Sequence, residues 1–192
     1  MKKIEETALI LIDIQQGFQD LDYWGNRNNP NAENQASKLL NHWRKIGWPV
    51  FHVKHCSTNP NSILVEGKPG NAIQDCVKPL EGEPVIKKEV NSAFIGTDLQ
   101  MQLEQQGIHK VVIAGLTTDH CISTSARMAG NLGFETIVVN DATATFDKTG
   151  FDGTNFPAEI IHATALASLN EEFAWVMNTD EVLAMFNPDT IR

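Results

Sequence analysis

The chain has 192 residues and a formal net charge of −9, from 24 acidic and 15 basic side chains. No basic run appears anywhere, which argues against a nucleic-acid or anionic-membrane partner, and no stretch approaches the roughly 18 apolar residues of a membrane span. Cys56, Cys76 and Cys121 are an odd number without disulfide-framework or zinc-knuckle spacing, and the opening MKKIEET does not read as a signal peptide, so a reducing cytoplasm is the expected compartment. The length suits one domain over 1–192, with no linker or composition break dividing it.

In chain order, residues 8–12 are an unbroken apolar run closed by Asp13, within a strand expected over 7–13. A helical pattern over 31–46 follows (Leu39, Leu40, Trp43), closed by Gly47, and a second strand is expected over 49–54. The connection 55–83 is rich in Pro and Gly, and a loop of that length inside a compact domain is usually functional, so it is expected to wall a site. A short strand over 84–87 ends at Lys87 and Lys88, a helix covers 97–106 with Gly107 behind it, and a strand is expected over 110–115. Next come a helix over 120–132 with Gly133 behind it, strands over 135–140 and 173–177, a helix over 157–169, and a short terminal helix from Thr179. Glycines just past helical segments are the expected C-terminal caps. Strands alternating with helices of this length predict βαβ units and a mainly parallel six-stranded sheet.

Strands of a parallel sheet covered on both faces read as continuous apolar runs, and ligands gather at their carboxyl ends. Asp13, the lysine pair and Cys121 each stand just beyond such a run. An acid, a base and a thiol are therefore expected to converge. Cys121 lies at a strand-to-helix turn, where the helix dipole favours thiolate, so it is expected to titrate below the free-thiol value of about 8.5. The alternative for a lone cysteine is an inert core side chain. No G-x-G-x-x-G or G-x-x-x-x-G-K-[ST] occurs, which removes dinucleotide and P-loop readings. His52 and His55 are three apart at a strand end, a separation that points side chains to opposite faces, so a metal pair is not expected. His120 neighbours Cys121 but adjacent helical positions do not face each other, which ranks it below Asp13 as a base.

Three segments carry a resemblance. DIQQGF (13–18), KEVNSAFIGTDL (88–99) and GLTTDHCISTSARMAGNLGF (115–134) resemble the signature segments of the isochorismatase-like cysteine hydrolase superfamily, in the same order, within a similarity running from about residue 8 to 183. VNSAFIGTDL, the stretch 125–134 and DATATFD (141–147) are most similar to the branch containing streptothricin hydrolase, a lactam-opening enzyme. The resemblance implies a three-layer α/β/α fold of Rossmann-like topology with a catalytic triad of Asp13, Lys88 and Cys121. Lys88 is the match because it stands four before Ser92, and Lys87 then faces away. It also implies an oxyanion hole from the backbone N–H groups of Thr117 and Cys121, with a cis peptide between Leu116 and Thr117.

Phe18 matches a family position that packs on the substrate, although an ordinary core phenylalanine is an equal alternative. Trp24, His55 and Phe151 are further pocket candidates from their place in loops after strands. The metal-binding Asp and His of the nicotinamidases are not recognisable in 51–70, so no metal and no cofactor are expected. The expected activity is hydrolysis of a small non-peptide amide or lactam through a thioester. Its rivals are vinyl-ether hydrolysis of the isochorismatase type, with Cys121 a bystander, and a non-catalytic binding protein on the same fold. The family also implies self-association, as a dimer or tetramer.

Overall fold

A computed structural model describes residues 6–187. Its centre is a six-stranded parallel sheet in the order β3-β2-β1-β4-β5-β8, built from β1 (Thr7–Ile12), β2 (Val50–His55), β3 (Val85–Lys88), β4 (Lys110–Leu116), β5 (Glu135–Ala144) and β8 (Trp175–Met177). β1, Thr7 followed by the apolar run 8–12, is buried at all six positions because helices cover both faces. Ala8, Ile10 and Ile12 pack towards α3 (Leu99–Gln105), α4 (Ser123–Asn131) and α5 (Ala158–Leu169), whereas Leu9 and Leu11 pack towards α2 (Ala32–Ile46) and α6 (Thr179–Met185). This alternation is the period-two pleat of a strand carrying two separate cores.

From β1 the chain goes through α2 to β2 and β3 on one side, then crosses back through α3 to β4 on the other. The direction of winding therefore reverses between β1 and β4, and the crevice beyond their carboxyl ends is where open α/β sheets bind ligands. Asp13 follows β1, and a π-helical turn, Thr118–Ile122, carrying Cys121 follows β4.

Gly115 makes this junction feasible. It sits at φ +130, and a Cβ there would lie 1.8 Å from the Ile12 carbonyl oxygen, so only a residue without a side chain lets β4 approach β1 where the site begins. The same position marks a register shift against β5, which runs to Ala144 instead of ending at 140: beyond the irregularity Thr143 and Ala144 pair again with Gly115 and Leu116. The edge strand β8 is shorter than the expected 173–177. A two-residue antiparallel hairpin, β6 (Lys148–Thr149) with β7 (Asn155–Phe156), was not expected from the sequence. The short helix α1 is Leu21–Trp24.

The long connection after β2 contains two short 3-10 turns, Pro69–Asn71 and Asp75–Val77. Buried side-chain amides tether it to the sheet. Gln15 Nε2 donates to the carbonyls of His55 and Asn71, Asn71 Nδ2 donates to those of His55 and Leu64, and Gln74 Nε2 donates to that of Gln15. Each of these bonds satisfies a loop carbonyl that would otherwise be buried unpaired.

Candidate active site

Three strand ends bring their polar groups to one point. Lys88 closes β3 with its side chain fully buried, and its ammonium donates to Asp13 Oδ2 at 2.7 Å, Cys121 Sγ at 3.2 Å and the Val90 carbonyl at 3.2 Å. Lys87, one residue earlier on the pleat, is more than half exposed and pairs with Glu66. Asp13 is held by its backbone N–H on the Val53 carbonyl at φ +54, a left-handed conformation that Asp tolerates better than most residues. Its second oxygen, Oδ1, is buried and accepts no hydrogen bond. The Leu116–Thr117 peptide is cis, and the buried Thr117 hydroxyl likewise lacks a partner.

The resting state of the thiol differs from the sequence expectation. Burial first, and the neighbouring Asp13 carboxylate second, push the Cys121 thiol up to about 12, against a smaller opposing pull from Lys88. Cys121 is thus a protonated thiol near neutral pH. The position of the cysteine in the helical turn is as expected, but desolvation and a facing negative charge outweigh the dipole. Burial acts to lower the affinity of Lys88 for its proton, yet the Asp13 carboxylate and the Cys121 sulfur together raise it above the ordinary lysine value, so it remains an ammonium.

A cavity of about 240 Å³ opens on this cluster. Phe18, Trp24 and Leu64 give it an apolar side, with Phe18 and Trp24 stacked at 4.9 Å between centroids and the indole N–H fixed on the Gly17 carbonyl. His55, Ser57, Asn59, Ser62, Asn91, His120 and Lys148 give it a polar side. Of the pocket candidates, Phe18, Trp24 and His55 therefore stand in the wall. Phe151 does not: it is fully exposed at the turn of the β6–β7 hairpin, where the Gly150 and Gly153 backbone bonds close a tight loop that carries it away from the cavity.

The two histidines of β2 separate as their spacing demands. His52 is buried and shares Glu83 with Arg44, at 2.8 Å from Oε2. His55 has Nδ1 3.5 Å from the Lys88 ammonium. Burial, then the Lys88 charge, lowers its affinity for a proton, which favours the neutral imidazole near neutral pH. Among the described residues no group of three or more His, Cys, Asp or Glu side chains is arranged to hold a metal ion, and no helix is long and apolar enough to cross a membrane. The sequence reading missed Gln15, Asn71, Asn91 and Lys148. Asn91, inside a quoted motif, and Lys148, brought by the folding of a hairpin, line the cavity, whereas Gln15 and Asn71 sit behind it, bonded to the His55 carbonyl.

The Isochorismatase domain model matches residues 7–181, and the chain is a member of the isochorismatase family of hydrolases. It is 46% identical over 182 residues to the isochorismatase family protein YrdC of Bacillus subtilis, covering 95% of this chain and 97% of that one. It is 45% identical over 160 residues to the maleamate amidohydrolase of Pseudomonas putida, 71% of each chain. A crystal structure of an isochorismatase family protein from Chromobacterium violaceum superposes with a TM-score of 0.91 at 41% identity, covering 96% of this chain and 94% of the other. Streptothricin hydrolase of Streptomyces noursei is further away, 27% identical over 143 residues, 73% of this chain and 50% of that enzyme.

Proposed function

We propose that this chain is a cysteine-dependent amidohydrolase acting on a small linear carboxamide. The observation that carries the reading is the buried Lys88 ammonium bridging Asp13 Oδ2 and Cys121 Sγ, two residues that line a cavity. Hydrolysis of a vinyl ether has no need of a thiol in contact with that lysine. A linear substrate is preferred to the lactam of the streptothricin hydrolase branch because the identity with maleamate amidohydrolase is 45% against 27%.

The chemistry begins from a thiol. As Cys121 Sγ forms a bond to the amide carbon, its proton passes to Asp13 Oδ1, the oxygen with no other partner, and the carbonyl π pair moves onto oxygen. The backbone N–H groups of Thr117 and Cys121 receive that oxyanion. Lys88, charged throughout, stabilises the sulfur as negative charge builds there. Asp13 then returns the proton to the leaving nitrogen as the C–N bond breaks, which leaves a thioester on Cys121. Water attacks the thioester, giving a proton to Asp13, and collapse releases the acid while Asp13 re-protonates the departing sulfur.

The test is mass spectrometry of protein quenched during turnover of a panel of primary amides. An acyl adduct should appear on the peptide containing Cys121, and Cys121→Ala should lose activity by about 10³-fold or more. A Cys121→Ala variant that keeps most of its activity would overturn the reading.

A further inference from the structure

One buried histidine lies behind the turn that carries Cys121 and takes no part in the chemistry above. His162, on α5, has Nδ1 2.9 Å from the hydroxyl of Thr118, the first residue of the Thr118–Ile122 turn. Thr118 is wholly buried. A chain of amides on the far side of the ring decides how it meets that hydroxyl. The Asn178 side chain caps α6 by accepting from the backbone N–H of Glu181, which commits its oxygen as an acceptor. Asn140 Nδ2 donates to Asn178 Oδ1 at 2.8 Å, and this turns Asn140 Oδ1 towards His162 Nε2, also at 2.8 Å. Asn29 Nδ2, 3.4 Å from the same nitrogen, already donates to the Asn140 and Thr143 carbonyls. Nε2 therefore faces one acceptor and carries the proton. Burial lowers the affinity of the ring for a second proton, against an opposing pull from Asp119, which favours a bare Nδ1 that accepts from the Thr118 hydroxyl.

We infer that His162 is a positioning residue: its bare Nδ1 holds Thr118 and, through Thr118, keeps the backbone N–H groups of Thr117 and Cys121 aimed at the oxyanion. This rests on the amidohydrolase reading above. Inside the turn the Thr117 carbonyl accepts from the N–H groups of His120 and Ile122, and these bonds set the shape of the turn but not its place against the neighbouring elements. Side chains that reach outwards set that place. Asp119 accepts from the Thr145 hydroxyl just past β5, but it is partly exposed and shared with His120 and Lys148. Thr118 makes its bond to α5 inside the core. A displacement of about 1 Å in a catalytic group can cost about 100-fold in rate, so the loss of this tether is read in kcat.

The experiment separates the two ring nitrogens. An Asn side chain can place its amide oxygen where Nδ1 stands, and a Gln side chain can place its amide nitrogen where Nε2 stands. With a primary amide that the wild type turns over, His162→Asn should keep kcat within about threefold, and His162→Gln should lower it about 10- to 100-fold with KM changed far less. Thr118→Val should reproduce that loss, and combining it with His162→Gln should lose no more than either change alone. Proton–nitrogen correlation spectra of the wild-type imidazole should place the proton of His162 on Nε2, a measurement that needs no turnover. A histidine that only braces α5 against β5 through Asn140 gives the opposite ranking, because Gln keeps that bond and Asn does not. The opposite ranking, equal losses for Asn and Gln, additive losses in the double variant, or a proton on Nδ1 overturns the inference. Any of these seen together with an acyl adduct on Cys121 leaves the amidohydrolase reading standing, whereas absence of the adduct overturns both.

Discussion

Two consecutive lysines end β3, and the pleat sends them to different environments: Lys87 to an exposed pair with Glu66, Lys88 to full burial between Asp13 and Cys121. Lys88→Met leaves the Asp13 carboxylate buried without its counter-charge, a change that costs about 3–5 kcal/mol, and removes the cation facing the sulfur. Turnover of an amide should fall by about 100-fold or more, whereas Lys87→Met should change it less than twofold. Circular dichroism at low temperature separates lost activity from lost folding, and the reverse ranking of the two lysines would refute the assigned register. The choice between them came from the resemblance, Lys88 standing four before Ser92, and strand alternation adds only that one of the two can serve. The protonation state of Cys121 was not, since it depends on how deeply the turn is buried and on a carboxylate 108 positions earlier in the chain.

At the scale of elements, the strands and helices of the sheet were readable from apolar runs and capping glycines, with ends shifted by up to three residues except at the end of β5. What escaped was whatever tertiary contact alone defines: the continuation of β5 past its irregularity, the β6–β7 hairpin that delivers Lys148, and the tethering of the long connection through Gln15 and Asn71. Gly115 illustrates the boundary. As a letter in the stretch 115–134 it is one glycine among several, yet its place against Ile12 sets how closely β1 and β4 approach. Gly115→Ala should destabilise the protein by about 3 kcal/mol or more, because the added Cβ meets backbone at a positive φ and not a yielding side chain. Activity should fall further than stability accounts for, since Asp13 and Cys121 follow the two strands that would be forced apart. Denaturant melts together with the rate of the remaining folded fraction check both parts, and a variant of wild-type stability would contradict the close approach.

For the molecule as a whole, placing an acid, a base and a thiol together inside the sheet makes global stability depend on pH. Cys121 has an ordinary thiol value of 9.0 when unfolded and about 12 in the native protein. Below pH 9 both states hold the proton and the group has no effect on the pH dependence. Between 9 and about 12 the native state keeps a proton that the unfolded chain has released, so raising the pH favours unfolding, with a slope of about 1.4 kcal/mol per pH unit for this one proton. Lys88, whose affinity for its proton is also raised, adds a loss of the same sign at higher pH. Cys121→Ala removes the first contribution and reduces the second, because the sulfur is one of the two groups that raise Lys88. The difference in unfolding free energy between wild type and Cys121→Ala, measured by urea denaturation at a series of alkaline pH values, should be flat up to about pH 9. It should then move steadily in favour of the variant. A difference that stayed constant through pH 11 would show that Cys121 titrates near its ordinary value in the native protein, and that burial and Asp13 do not hold its proton.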